Sequence, residues 1–279
     1  MQMMLDALWR ALADCLRGRV MAWSLFPLLL MAAMVAVVGV WWWDGAVLAV
    51  QAWLERASWL QWLWGWMGSG HASASAVVAA VLVILLISPV VVICALAVVA
   101  VVMTPQMVEL VAQRRFPHLE RKRGGGLIGS ALWAMGSTAL ALLALVASVP
   151  LWLLPPMVLV LPPLIWGWLT YRVMTFDALA EHASKAERQS LVQQHRYPLM
   201  LMGVICGYAG AAPAVVWASG VVFVAAFWIL IPIAIWIYAL VFAFSSLWFA
   251  HYALAALYRL RAATTDGTAV HASPTPSVP

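Results

Sequence analysis

Two stretches of this chain, residues 20–43 and 77–103, each run past 20 residues without a single Asp, Glu, Lys or Arg. A helix rises 1.5 Å per residue, so roughly 20 apolar residues cross the hydrocarbon core of a bilayer. Runs of this length and purity have no place in a soluble fold of 279 residues, whose surface must stay solvated. Composition agrees. The chain is 66% hydrophobic and 9% charged, against about 45–50% and about 25% in ordinary globular chains. It also carries 18 tryptophans. Trp41, Trp42 and Trp43 close the first run, and Trp53, Trp59, Trp62, Trp64 and Trp66 crowd the segment behind it. Indole prefers the membrane–water boundary, where its ring is buried and its N–H reaches headgroups. The chain is expected to be an all-α, multi-pass membrane protein.

Three regions follow from the patterning. Residues 1–19 read as an amphipathic helix, with Leu5, Leu8, Leu12 and Leu16 on one face and Asp6, Arg10, Asp14 and Arg17 on the other. Residues 20–261 form an integral helical domain. Residues 262–279, rich in Thr, Ser and Pro, read as a disordered tail. The first apolar run ends in tryptophans rather than a small-residue cleavage site, so it is expected to be retained as a span. Trp59, Trp62 and Trp66 recur at helical spacing, which predicts a helix lying in the interface, with Gly68, Ser69 and Gly70 as the turn back. Cys15, Cys94 and Cys206 are too scattered for a disulfide framework and read as small packing residues.

The later apolar runs are broken by proline. Residues 127–149 are long enough to span, but Pro150, Pro155, Pro156, Pro162 and Pro163 follow. With a turn at Pro155 and Pro156, a returning arm over residues 157–170 is too short to cross. Residues 198–219 contain Gly203, Gly207, Gly210 and Pro213, and residues 221–257 contain Pro232. The expectation is a polytopic helical bundle with two long transmembrane helices and proline-broken hairpins that penetrate part-way. Residues 221–257 either extend past the membrane or break near Pro232. Fourteen of the 15 Lys and Arg residues fall in four segments, around Arg10–Arg19, Arg114–Arg123, Arg172–Arg196 and Arg259–Arg261. The positive-inside rule places all four in the cytoplasm, giving three membrane hairpins with both termini inside.

Chemistry-bearing residues are few. The basic run at Arg114, Arg115, Arg121, Lys122 and Arg123 reads as topology control, or as an electropositive vestibule for an anion. Asp177, Glu181 and His182 suggest a proton relay or a weak metal site, but caps and solvated helix faces explain them better. Ser184-Lys185-Ala186-Glu187 has the form of a capping box. Gly203 and Gly207 offer a small face for close helix packing. Within the apolar runs His251 is the one ionisable candidate, expected near the cytoplasmic interface, which argues against an ion-driven pump. With no phosphate loop, Ser–His–Asp arrangement or zinc pattern, neither an enzymatic activity nor a cofactor or metal is expected.

An ordered set of short motifs runs along the chain. Leu25-Phe26-Pro27-Leu28-Leu29 opens the first span, Trp59-Leu60-Gln61-Trp62-Leu63 follows, and Thr104-Pro105-Gln106-Met107-Val108-Glu109-Leu110 ends the second. Phe176-Asp177-Ala178-Leu179-Ala180-Glu181-His182, the stretch from Tyr197 to Gly203, and Ala212-Pro213 come last. This order resembles the CysZ sulfate permeases and the related etoposide-induced-protein-like membrane proteins, over most of residues 5–257. The resemblance implies a multi-pass protein of the bacterial inner membrane, a homo-oligomer in contact with membrane lipid, and passage of sulfate or another small anion. No nucleic-acid partner is implied. The sulfate site it implies is a glycine, an apolar residue and an arginine pair before the first span. Arg17, Gly18 and Arg19 are the candidates here, with Met21 and Ala22 where the arginine pair is expected. A second departure is Pro105-Gln106-Met107, where the family carries Pro-Phe-Asn. Two functions stay open: a passive anion permease, and a non-transporting membrane scaffold or envelope-maintenance protein.

Overall fold

The structure, a computed structural model, describes residues 1–57, 71–122, 124–218 and 221–271. The described residues hold nine α-helices and no strand: α1 Gln2–Cys15, α2 Gly18–Trp41, α3 Trp43–Arg56, α4 His71–Arg115, α5 Leu127–Ser148, α6 Pro155–Ala180, α7 Lys185–Gln194, α8 Arg196–Ala218 and α9 Val221–His271. A 3-10 turn, Val149–Leu153, joins α5 to α6. The protein is a polytopic helical membrane protein. Among the described residues, Gly18–Trp41, Ile128–Leu153, Pro156–Ala180 and Ile233–Thr264 are each long and apolar enough to cross a bilayer. The chain divides into two compact units, Met1–Ser24 with Val102–Pro279, and Leu25–Val101.

In the larger unit the core is the middle of α9, where Leu247, Trp248, Phe249, Ala250 and Leu254 are fully buried. Helix α1 closes on it through Met4, Ala7 and Ala11, the two small alanine side chains allowing near approach, and Trp248 Nε1 donates to the Met4 carbonyl at 3.1 Å. The expected faces of α1 are therefore rearranged. Leu5, Leu12 and Leu16 are exposed and free to meet lipid and Leu8 is half-buried, while Asp14, placed on the polar face by its spacing, is buried. His195 Nδ1 lies 2.9 Å from Tyr252 Oη and ties the end of α7 to α9.

Helices α6 and α8 pack backbone to backbone. A Cβ on Gly203 would collide with the Gly167 carbonyl, and one on Gly167 would lie 2.6 Å from Val204 Cα. Only glycine permits that approach, as the Gly203–Gly207 spacing led one to expect. The arm returning from the Pro155–Pro156 turn is longer than the sequence suggested. Helix α6 continues through Pro162 and Pro163 to Ala180, 26 residues in all. A rise of 1.5 Å per residue makes that about 39 Å, enough to span. Polarity begins at Tyr171, but the helix carries this polar end beyond its apolar part. Leu153 and Leu154 at the hairpin tip are exposed.

Helix α9 runs unbroken through Pro232, so of the two readings for this segment the helix extends. It also continues past Ala262, where the tail was expected to begin; residues 272–279 lie outside the described ones. The expected span at 77–103 falls inside α4, which is continuous over 45 residues. In the smaller unit, α3 is tied to α4 by Gln51 Nε2 donating to Ser75 Oγ at 3.3 Å and by Ser75 Oγ donating to Glu55 Oε1 at 3.1 Å. Trp41, Trp42 and Trp53 are exposed, as interfacial indoles should be. The interfacial helix expected around Trp59 and the turn at Gly68–Gly70 lie outside the described residues. Of the cysteines, Cys206 is buried as a packing residue, whereas Cys94 is exposed.

Candidate functional site

The candidate anion residues fall at the break between α1 and α2. Helix α1 ends when the Arg17 N–H turns back to the Asp14 carbonyl at 3.2 Å, and α2 starts one residue later. Gly18 has open space around its missing Cβ and no left-handed φ, so neither the backbone nor close packing demands glycine there. Arg17 and Arg19 are both exposed. Their surroundings differ. Arg17 Nε is 2.9 Å from Asp14 Oδ1, an ion pair one turn apart, while Arg19 makes no ion pair among the described residues.

Asp14 gathers more than Arg17. Arg114 Nη1, from the end of α4, lies 3.5 Å from the same carboxylate oxygen, and His251 Nε2, from α9, lies 2.9 Å from the other. A buried carboxylate costs several kcal/mol unless paired and hydrogen-bonded, and here three partners compensate it. The cluster fastens the α1–α2 break to α4 and α9. Beside it, Asp6 accepts from Arg10 Nε and, across from α4, from Arg115 Nη2, each at 2.9 Å. Three guanidinium groups, Arg17, Arg19 and Arg114, stand against one carboxylate, which leaves this patch electropositive. His251, expected near the cytoplasmic interface, is buried in the larger unit, against the Asp14 carboxylate that also receives Arg114 from the basic end of α4. Nothing in the sequence signals its pairing with Asp14, 237 positions away.

The polar stretch after α6 is organised by Arg261 of α9. Its guanidinium donates to both carboxylate oxygens of Glu187, at 3.0 and 3.1 Å, to the His182 carbonyl at 2.7 Å and to the Glu120 carbonyl at 2.9 Å. Lys122 Nζ adds a third cationic contact to Glu187 at 2.9 Å. The same carboxylate completes the capping box, accepting from the Ser184 N–H at 2.8 Å while Ser184 Oγ accepts from the Glu187 N–H. The Arg261 hydrogen bonds, opposed by partial burial and helped by Ser184 and Lys122, hold the Glu187 carboxyl at about 2, against an ordinary 4.5. His182 is buried, and burial, reinforced by Arg121, lowers its imidazole below the usual range. Asp177 is half-buried on α6 and Glu181 is exposed at the helix end. Among the described residues no three His, Cys, Asp or Glu side chains converge as metal ligands.

Residues 7–219 match the family described as sulfate transporter CysZ/etoposide-induced protein 2.4. The chain belongs to this family. No curated protein and no solved structure matches it. The matched region covers most of α1 and all of α2 to α8, including Arg17, Gly18 and Arg19. It stops short of α9, which supplies His251 to Asp14 and Arg261 to Glu187. The two polar clusters thus join the family region to a helix beyond it.

Proposed function

We propose that this CysZ-family membrane protein passes a small oxyanion, sulfate first among them, passively across the bacterial inner membrane, with both termini in the cytoplasm. The family match over residues 7–219 carries this reading, since its description names a sulfate transporter. The electropositive patch at the α1–α2 break supports it. Arg19, exposed and without a carboxylate partner among the described residues, is the side chain free to meet an anion, and Arg17 is held by Asp14 as the residue that fixes the break. Guanidinium suits a tetrahedral oxyanion because its N–H groups match two oxygens at once. A passive path needs no coupling residue, no cofactor and no catalytic step. Membrane lipid and further copies of the chain belong to the same reading, supported by exposed apolar side chains such as Leu143 and Leu159 on the membrane-length helices.

The engagement of Arg17 by Asp14 favours a second reading, a non-transporting scaffold in which these arginines only anchor helices. Radiolabelled sulfate uptake into liposomes carrying the wild type or Arg19→Ala separates the two. The permease reading expects uptake above empty liposomes and a severalfold loss in a variant of unchanged oligomer size. Equal uptake by the two proteins removes Arg19 from the path.

A further inference from the structure

A second basic site lies apart from the α1–α2 break, where the start of α5, the last turns of α6 and the whole of α7 enclose a half-open pocket of about 580 Å³. Its walls include Trp133, Arg172, Thr175, Phe176, Lys185 and Arg188, and among the described residues no Asp or Glu lines it. None of the three cations has a carboxylate partner among the described residues. Aromatic rings hold the guanidinium groups instead. Arg172 Cζ sits 4.2 Å from the Trp133 ring centre and 5.2 Å from that of Trp168, and Arg188 Cζ sits 4.1 Å from Phe176. Trp133 and Phe176 are themselves stacked at 5.4 Å. Stacking occupies the faces of a guanidinium and leaves its N–H edges to bind elsewhere.

Two polar atoms of this pocket lack a partner. Arg172 Nε is a buried donor with no acceptor, and Thr175, 1% exposed, has a buried Oγ1 with none. Buried donors left unsatisfied are uncommon, and each costs free energy that a ligand oxygen would recover. Arg188 Nη1 donates to the Gly124 carbonyl at 3.4 Å, but three cations without a carboxylate and two unmet polar atoms call for an oxyanion. The aromatic walls call for something apolar attached to it. Both requirements meet where membrane-length helices end, since Arg172, Thr175 and Phe176 belong to the last turns of the candidate span Pro156–Ala180.

From this geometry we infer that the α5–α6–α7 pocket binds the phosphate of an anionic phospholipid headgroup. Arg172, Lys185 and Arg188 take the phosphate charge, the Thr175 hydroxyl donates to one of its oxygens, and Trp133 and Phe176 cover the glycerol and first methylenes. The site is independent of anion passage. Free phosphate shares the oxyanion chemistry but has no use for the aromatic walls.

Native mass spectrometry of the purified full-length protein in a neutral maltoside detergent tests this, with dioleoyl phosphatidylglycerol, dioleoyl phosphatidylcholine and sodium phosphate as probes. The wild type should retain phosphatidylglycerol over phosphatidylcholine by at least about fivefold, a ratio in keeping with one or two near-surface cations. The preference should vanish in Arg172→Gln with Lys185→Gln. Should that variant not fold, Lys185→Gln alone decides, because Lys185 is exposed and has no ion-pair partner among the described residues, and it should weaken the preference by half or more. Equal retention of the two lipids, or a preference unchanged in a folded variant, overturns the assignment. Displacement of phosphatidylglycerol by millimolar sodium phosphate overturns the lipid as ligand and leaves a free-oxyanion site.

Discussion

Glu187 shows how one side chain can serve two structural ends. Its carboxylate caps α7 and receives Arg261 and Lys122, so it is stabilised only while charged. Because its folded pKa of about 2 lies below the ordinary 4.5, its contribution is full above about pH 4.5. It is lost as pH falls from there toward 2. Glu187→Gln should therefore lower stability near neutrality by about 1.5–3 kcal/mol, the range for hydrogen bonds to charged groups. It should also flatten the fall in melting temperature between pH 4.5 and 2. A variant that melts with the same pH profile as the wild type would show that Arg261 draws little from Glu187. At this scale the sequence was partly legible. The Ser184–Glu187 box is local, three residues apart, and could be read directly. The partners of Glu187 and Asp14 on α9 could not, since a pairing over 74 or 237 positions leaves no periodicity behind.

Among the elements, α6 and α8 depend on the absence of side chains at their crossing. Gly203→Leu should push the helices apart and cost about 1–3 kcal/mol or more through overpacking. Gly210→Leu is the matched control, because nothing lies within 4 Å of its added Cβ. A thermal-stability measurement in detergent should show a clear drop for the first and little change for the second. Equal melting temperatures would mean that the close crossing is not what holds α6 to α8. Apolar length identified the helices, but prolines misled as to where they end. Pro155 and Pro156 occupy the first turn of α6, where a missing N–H is harmless, and Pro162 and Pro163 are carried inside it. The leucine periodicity of α1 likewise identified the helix and not its packing face. Burial against α9 fell to Ala7 and Ala11, because small residues let two backbones approach where leucine fits lipid equally well.

For the whole molecule, the distribution of basic residues predicts sidedness. A single cysteine introduced at Ser69, in a protein otherwise free of cysteine, should react with an impermeant thiol reagent from the outer face of intact cells, and one introduced after Arg261 only once the membrane is opened. The opposite pattern would invert the topology. Passive conduction makes a sharper demand than sidedness. In liposomes loaded with unlabelled sulfate, radiolabelled sulfate flux through the wild-type protein should follow the sulfate gradient in either direction and be unchanged when a proton or sodium gradient is imposed. Sulfate flux no greater than that of protein-free liposomes, at confirmed reconstitution and oligomer size, would contradict the account and leave the scaffold reading in its place.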